Sequence, residues 1–500
     1  MNSYWIESTI NEGKFNSLDK DISCDVCIIG AGLFGLTTAY YLSKKGINVV
    51  ILDKFEIGTK VSGHTTAKIT SEHGLIYDYL TNSFGKEIAR KYLYANEDAI
   101  NNIKEIVNEE NFECDLKIQN NYVYTTKPDD LEKIKKEVVA VNSLGFSAQF
   151  IENTSLPFEI QGAIMFPNQA QFHPRKYMLN LCNSIFKNNG QIYTNTLVHD
   201  IKKEDGYYKT LTSQNSVKSK YIVIASHYPF INFPGFYFTK MYQETSYIIG
   251  IDTKSDLFDG MYITSSDPTL SFRTTNDRNK DILLIGGANH KTGADSVTYY
   301  STYDILEQRA KELYPNCEVL YKWNTRDCIT LDKVPYIGEF SVSTPNVYVG
   351  TGFNKWGMTS SNVAANIVTD KILGIENKYE EVFTSTRLKP IKNIKEVSNM
   401  VKQVATSFIV EKLKIPEETL INIKNDSGDI IEIDGEKIGI YKDVNGKIHS
   451  VKPTCTHLGC TLSWNNADKT WDCPCHGSRF NYDGKNIYDP AFRDLKTFNL

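Results

Sequence analysis

The alternation of apolar and polar positions near the N-terminus predicts a β-strand, an α-helix and a second β-strand in succession. Residues 26–29 form a short apolar run, and residues 33–45 place apolar side chains on one helical face before Gly46. A second apolar run covers residues 47–52 and ends at Asp53. This order of patterns is typical of a βαβ unit in a parallel sheet.

The pattern changes toward the C-terminus, where short strands alternate with turn signals. Asn445-Gly446 is a strong hairpin turn and predicts antiparallel pairing around it. Upstream of these strands the chain is polar, and residues 394–413 have helical periodicity. The predicted parts are a module of residues 1–375, a linker and helix of residues 376–418, and a small all-β domain of residues 419–500.

The turn of the βαβ unit reads Gly30-x-Gly32-x-x-Gly35, which is the pattern of a dinucleotide-binding loop. Gly30 permits the tight turn, Gly32 lets a pyrophosphate approach the backbone, and Gly35 lets helix and strand pack closely. The helix N-terminus attracts the phosphates. Asp53 ends the second strand, where it can accept hydrogen bonds from a ribose hydroxyl. The segment therefore predicts a dinucleotide site.

Two loops near the C-terminus combine cysteine with histidine at spacings that suit a Rieske [2Fe–2S] cluster. Two thiolates hold one iron of such a cluster and two imidazoles hold the other. The predicted ligands are Cys455, His457, Cys473 and His476. Zinc takes the same ligand types, but Gly459, Ser478 and an additional cysteine in each loop favour the cluster. The motif predicts an electron-transfer protein.

Three further segments favour FAD as the dinucleotide. Residues 61–70 form a loop of small residues soon after Asp53, and residues 221–226 form a strand similar to one in flavoproteins with two dinucleotide folds. Residues 347–361 give a strand, a glycine-rich turn and a helix start, which can meet the flavin edge and stabilise its reduced anion. The predicted flavin contacts in the first and third of these segments are Thr65, Thr66, Gly352, Met358 and Thr359.

These segments resemble the FAD-dependent amine and amino-acid oxidase superfamily, which includes D-amino-acid, glycine and sarcosine oxidases. The order of Trp323, Asp332 and Pro335 along the chain adds to this resemblance. The resemblance covers about residues 22–375. The whole chain resembles bacterial FAD-dependent oxidoreductases with a C-terminal Rieske domain. It implies a Rossmann-like α/β FAD-binding domain interleaved with an α+β substrate domain, followed by an all-β Rieske domain.

One departure from the superfamily bears on the substrate. Its members commonly carry an arginine for the substrate carboxylate at the position that Asp327 holds here, and Arg326 lies one residue earlier. A shift of one residue on a strand turns a side chain to the opposite face. Asp327 would suit a cationic amine better than an α-carboxylate. The predicted catalytic candidates are Asp327, Arg326 and His64, the last from the flavin loop.

The resemblance to cytochrome-bc-type Rieske proteins implies a disulfide between Cys460 and Cys475 that clamps the two ligand loops. It also places Ser478 where it can donate a hydrogen bond to the cluster. High-potential relatives have tyrosine where this chain has Phe480, so one hydrogen bond to a thiolate sulfur is missing. We expect a reduction potential below the top of the Rieske range of about −150 to +300 mV.

Composition and charge indicate which classes of partner and which compartment to expect. The 500 residues carry a formal net charge of −5 with a sequence pI near 6.1, which indicates neither a nucleic acid nor an anionic membrane as partner. We find no apolar run long enough to span a membrane and no signal peptide, so we expect a cytoplasmic protein.

The leading interpretation is a flavin-dependent oxidoreductase that oxidises a small C–N substrate, an amine or amino acid. Electrons would pass singly through the cluster to an external acceptor, either a redox protein or a small molecule. A reductase that runs electrons from a protein donor to FAD is the first alternative, and a non-catalytic redox sensor is another. A Rieske oxygenase needs a mononuclear iron held by two histidines and a carboxylate, and the spacing of the remaining histidines does not favour one.

Overall fold

The computed structural model of the chain describes residues 3–277, 280–293, 302–387, 423–433 and 436–498. The predicted helix over residues 394–413, and the linker from residue 388 onward, lie outside the described residues.

The helices and strands of the described residues are as follows. The α-helices are α1 (Tyr4–Glu7), α2 (Leu33–Lys44), α3 (Tyr77–Phe84), α4 (Lys86–Glu109), α5 (Leu131–Ser143), α6 (Pro174–Lys187), α7 (Thr302–Leu313), α8 (Gly357–Leu373) and α9 (Glu380–Phe383). The strands are β1 (Ile22–Ile29), β2 (Val49–Leu52), β3 (Lys68–Ile69), β4 (Lys117–Thr125), β5 (Gln149–Ile151), β6 (Gly162–Gln171), β7 (Gln191–Tyr193), β8 (Val198–Glu204), β9 (Tyr207–Thr212), β10 (Ser216–Ile224), β11 (Met241–Asp252), β12 (Met261–Thr264), β13 (Leu270–Asp277), β14 (Lys280–Lys291), β15 (Glu318–Thr330), β16 (Tyr336–Glu339), β17 (Val347–Thr351), β18 (Ser427–Ile433), β19 (Glu436–Lys442), β20 (Ile448–Val451), β21 (Ser463–Asn465), β22 (Thr470–Asp472), β23 (Arg479–Asn481) and β24 (Asn486–Tyr488).

A mostly parallel sheet contains the predicted βαβ unit. Its strand order is β16-β17-β10-β1-β2-β7, with β9 pairing to β10 and β8 to β9. Strands β1 and β2 pair in parallel, as do β1 and β10. The buried half of β1 is fully apolar, because a parallel strand covered on both faces needs apolar side chains on both. The Rossmann-like part of the predicted fold is confirmed.

A second sheet of nine strands forms the other half of the FAD module. Its order is β15-β11-β14-β13-β12-β4-β6-β3, with β5 pairing to β6. Its strands alternate along the chain with those of the first sheet, so the two subdomains are interleaved as predicted. Long β11 lies between β14 and β15 and pairs antiparallel with both.

The C-terminal domain is all-β, as predicted from the turn signals. Strands β18 to β20 form one antiparallel sheet and β21 to β24 form another. Trp471 and Phe480 pair across β22 and β23 and are fully buried. They form an apolar cluster with the cysteines of the two ligand loops.

The first part of the predicted linker packs onto the FAD module. Val382 and Phe383 of α9 are buried. The guanidinium of Arg387 donates to both carboxylate oxygens of Asp332, at 2.7 and 2.8 Å. The polar composition of the segment gives no sign of these few apolar and charged side chains, which contact the FAD module.

The C-terminal domain docks against the FAD module through polar contacts. Asn324 of β15 donates to Asp468 at 2.7 Å, and Lys54 at the end of β2 donates to Asn486 at 2.7 Å. The ammonium of Lys54 also lies 3.5 Å from the carboxylate of Asp489. None of the helices in the part of the chain that the structure describes is long and apolar enough to cross a membrane.

The glycine turn generates a stability prediction. A methyl group at Gly35 would overlap the carbonyl oxygen of Gly30, and overpacking of this kind costs about 1–3 kcal/mol. We expect Gly35→Ala to lower the free energy of unfolding by about that amount, measured by urea denaturation. Gly46→Asn is the control, because its position has no atom within 4 Å and asparagine tolerates its positive φ. A Gly35→Ala variant as stable as this control would contradict the packing argument.

Candidate functional site

A cavity lies in the FAD module and is bordered by strands of three of the four sheets. The start of α2 and the end of β2 line one part, and residues of β11, β14 and β15 line another. The C-terminal domain completes the wall with Tyr488, Asp489 and Phe492. The cavity is therefore lined by residues of both modules.

The glycine turn has the geometry that a pyrophosphate needs. Gly30 has φ of +114°, and a side chain there would overlap the carbonyl of Ala225. Gly32 is the N-cap of α2 and lines the cavity. Gly35 does not line the cavity; it lies against Gly30 and lets helix α2 pack closely on the turn. The positive end of the helix dipole thus borders the cavity, where the Ser62 hydroxyl accepts from the N–H of Leu33 at 3.3 Å, and this arrangement fits an anionic group.

Asp53 lies in the cavity wall beside this helix. Its carboxylate accepts the backbone N–H groups of Ala31 at 2.6 Å and Phe55 at 2.7 Å. Burial raises the pKa of Asp53 to about 6, and the two N–H donors oppose this shift. The carboxylate ties the glycine turn to the end of β2, next to the place where a ribose would lie.

The predicted flavin contacts divide into two groups. Thr65, Thr66 and Met358 line the cavity. Gly352 and Thr359 are not among its lining residues in the described chain: a side chain at Gly352 would overlap Thr330, and the hydroxyl of Thr359 donates to the carbonyl of Thr70 at 3.1 Å. Both residues contact other parts of the protein and do not line the cavity.

The three predicted catalytic candidates are not brought together. Asp327 lines the cavity. Arg326 turns to the other face of β15, where its guanidinium lies 4.4 Å from the centroid of the Tyr488 ring. His64 is not a lining residue in the described chain, and its ring contacts the carbonyl of Lys60 at 2.9 Å. Strand alternation separates the first two, and the third is half-buried in the loop.

Opposite charges surround Asp327 in the cavity. Burial raises the pKa of Asp327 to about 6, with Lys355 opposing the shift and Glu244 adding to it. Lys355 also lines the cavity and forms an ion pair of 2.7 Å with Glu244. A carboxylate and an ammonium thus face the same space, an arrangement that suits a substrate with complementary charges.

Two lysines line the cavity: Lys68 lies within the predicted flavin loop of residues 61–70, whereas Lys60, like Asp489, was not predicted as a cavity residue. Lys68 of β3 is buried and donates to the carbonyl of Tyr262 at 2.6 Å, and burial lowers its pKa to about 7. Burial likewise lowers the pKa of Lys60 to about 8. The sequence predicted that residues 61–70 lie near the flavin. No sequence signal indicated that Asp489, more than 400 positions later, lines the same cavity.

The two predicted thiolate ligands lie together at the tip of the C-terminal domain. Cys455 and Cys473 are buried free thiols joined by a hydrogen bond. This bond and the backbone N–H groups of His457 and Leu458 lower the pKa of Cys455, against the effect of burial. Such N–H donors favour the thiolate form that an iron requires. Ser478 also hydrogen-bonds to Cys455.

The two predicted imidazole ligands complete a fit to the cluster. The rings of His457 and His476 lie 5.1 Å apart, centroid to centroid. The Nδ1 atom of each is buried and has no hydrogen-bond partner in the described residues. Two thiols and two unpartnered ring nitrogens in one small site match the donor set of a [2Fe–2S] cluster with mixed ligands.

The outer edges of both imidazoles are covered by the FAD module. The Nε2 atom of His457 lies 2.9 Å from the Oδ1 atom of Asn232, and His476 hydrogen-bonds to the backbone of Phe238. A ligating histidine commonly donates its second N–H to an oxygen acceptor, which fixes its tautomer. The segment of residues 227–238, between β10 and β11, therefore holds both candidate ligands in place.

A disulfide links the ligand loops as the resemblance implied. Cys460 and Cys475 are bonded, and their Cα atoms lie 6.6 Å apart. Cys473 lies beside this pair, with the sulfur atoms of all three within 4.8 Å. With Cys460 and Cys475 occupied, the free thiols in the two loops are those of Cys455 and Cys473.

Comparison with known proteins identifies both modules. The family model for FAD dependent oxidoreductases matches residues 25–371, and the model for the Rieske [2Fe-2S] domain matches residues 418–499. The chain belongs to the FAD dependent oxidoreductase family. Its cofactors are accordingly FAD and a [2Fe–2S] cluster, and its fold and motifs agree with this assignment.

Known proteins similar to this chain span most of its length. A Bacillus subtilis protein named as a Rieske 2Fe-2S iron-sulfur protein, YhfW, is 38% identical over 498 residues. The aligned region is 100% of this chain and 97% of that protein. The gamma-glutamylputrescine oxidoreductase of Escherichia coli is 21% identical over 76% of this chain and 90% of its own. The glycine oxidase of Geobacillus kaustophilus has the same fold, with a TM-score of 0.62 at 17% identity over 74% of this chain and its own entire length.

The site generates a prediction about Asp53. An amide in place of the carboxylate leaves one of the two N–H groups, of Ala31 or Phe55, without an acceptor. Hydrogen bonds to charged groups contribute about 1.5–3 kcal/mol, so we expect Asp53→Asn to weaken FAD binding about 10- to 100-fold, measured by flavin fluorescence titration. Asp25→Asn in β1 is the matched control and should bind FAD like the wild type, because its exposed carboxylate also accepts a backbone N–H, from Asn48 at 3.0 Å, but does not line the cavity. Equal affinities for the two variants would argue against a role of Asp53 in the site.

Proposed function

We propose that this oxidoreductase oxidises a small C–N substrate, an amine or amino acid, and passes the electrons singly between FAD and the Rieske cluster to an external acceptor. The flavin supplies two-electron chemistry toward the substrate and one-electron chemistry toward the cluster. The residues of the chain bind and orient both groups.

The observation that carries the relay is the position of the candidate imidazole ligands. Asn232 and Phe238, which contact these imidazoles, belong to the same loop as His227 and Phe230, which line the cavity. One short segment of the FAD module thus touches both sites. This supports electron exchange within one chain.

The charges of the cavity support a C–N substrate. Asp327 can pair with an ammonium group, and Lys355 stands nearby to meet an anionic group, should the substrate carry one. The name of the gamma-glutamylputrescine oxidoreductase, a relative over most of the chain, points to an amine substrate for that enzyme. Arg326 stacks on Tyr488 and is turned away, so a carboxylate clamp at this strand is not part of the proposal.

The relay is tested by anaerobic reduction. We expect a compound from a panel of amines and amino acids to bleach the flavin absorbance, and the EPR signal of the reduced cluster to grow in the same samples. The compound that bleaches the flavin also identifies the substrate class. Flavin bleaching without a cluster signal would overturn the relay, and cluster reduction only from a protein donor would favour the reductase.

Asp327 gives the substrate proposal a pH test. Because the pKa of Asp327 is raised to about 6, its carboxylate is ionised above that pH and neutral below it. We expect kcat/KM for a cationic amine to rise as pH rises through about 6. Asp327→Asn should abolish this step and lower kcat/KM about 10- to 100-fold at neutral pH, the loss of a charge-assisted hydrogen bond.

Glu318→Gln, at the exposed far end of the same strand, is the matched control for Asp327→Asn and should keep the wild-type profile. Unchanged turnover of every amine by Asp327→Asn would refute the role of this carboxylate.

A further inference from the structure

A buried tyrosine of the FAD module lies between the cavity and the cluster ligands without a partner for its hydroxyl. Tyr228 is 1% exposed, and its hydroxyl makes no hydrogen bond with the described residues. Its ring lies 6.4 Å from that of His476, centroid to centroid. Buried hydroxyls in native proteins nearly always have a partner, so an acceptor is expected at this place.

The backbone holds Tyr228 firmly in position. Its N–H donates to the carbonyl of Ser226 at 2.7 Å, and the hydroxyl of Ser226 donates back to the carbonyl of Tyr228 at 2.9 Å. On the other side of the chain, Thr351 donates to the carbonyl of His227. The side chain therefore enters the domain interface from a hydrogen-bonded turn.

Two sulfur atoms lie in the surroundings of the Tyr228 hydroxyl. Burial raises the pKa of Tyr228 well above its usual value, and the charges of Cys328 and Cys473 add to the rise. Cys328 already has a partner, because its sulfur lies 3.3 Å from the Nε2 atom of His227. Cys473 is a candidate cluster ligand and carries negative charge as a thiolate, which makes it the stronger acceptor of the two.

We propose that the hydroxyl of Tyr228 donates a hydrogen bond to the cluster-binding sulfur of Cys473 and thereby raises the reduction potential of the cluster. Hydrogen bonds to the sulfurs are one of the factors that set Rieske potentials, because they stabilise the more negative, reduced form. The FAD module thus supplies a donor of the kind that Phe480 cannot supply. The lower reduction potential that we expect from Phe480 is then the potential of a cluster that has the hydrogen bonds of the C-terminal domain alone.

The inference rests on the assignment of the cluster but not on the substrate or the relay. The test is Tyr228→Phe in the full-length, cluster-loaded protein, with iron and sulfide content measured first. We expect a lower midpoint potential of the cluster in EPR-monitored titration and shifted EPR g values. The flavin potential and the cluster content should stay at the wild-type values. No substrate is needed, so failure of the proposed function would leave this result intact.

Tyr237→Phe is the matched control. This tyrosine is also buried, lies in the same connection between β10 and β11, and donates to the carbonyl of Phe340 at 3.0 Å, away from the cluster. We expect its cluster potential to equal that of the wild type. A loaded Tyr228→Phe protein with the wild-type potential would overturn the proposal, as would equal shifts in both variants.

An experimental structure of the loaded wild-type protein tests the same contact without a substitution, which matters if Tyr228→Phe does not hold its cluster. A hydroxyl of Tyr228 within hydrogen-bonding distance of the Cys473 sulfur supports the proposal. A hydroxyl bonded to a buried water or to another side chain refutes it.

Discussion

The contact between the C-terminal domain and the FAD module is the interaction on which both cofactor sites depend. On one side of this contact, Tyr488 and Asp489 close the wall of the FAD cavity. On the other side, Asn232 and Phe238 cover the outer edges of the imidazoles. Residues of both modules therefore line the cavity and surround the candidate cluster ligands.

The charges at this contact explain why docking is specific. Partial burial raises the pKa of Asp489, and Lys54 and Lys60 oppose that shift. Opposite charges that meet across the contact favour this one orientation of the domains over others. Arg326 also lies at this interface, where its guanidinium packs against the ring of Tyr488. The residue that could have served as a substrate clamp is thereby used to hold the domains together.

Local features of the fold and the site could be predicted from the sequence because they depend on residues close together in the chain. The βαβ unit follows from apolar runs and from Gly30, where positive φ and the nearby Ala225 carbonyl exclude a side chain. The cluster motif follows from the spacing of cysteines and histidines within two short loops. The opposite orientations of Arg326 and Asp327 follow from the two-residue period of a strand.

The sequence by itself therefore determined the two modules, their cofactors and the chemical type of their ligands. Only the tertiary structure decided which side chains face each site. It turned His64 away from the cavity, joined Asp489 to Lys54, and set Asn232 and Tyr228 beside ligands more than 200 positions away. Such contacts depend on how two independent surfaces pack, and no local period or spacing encodes that packing.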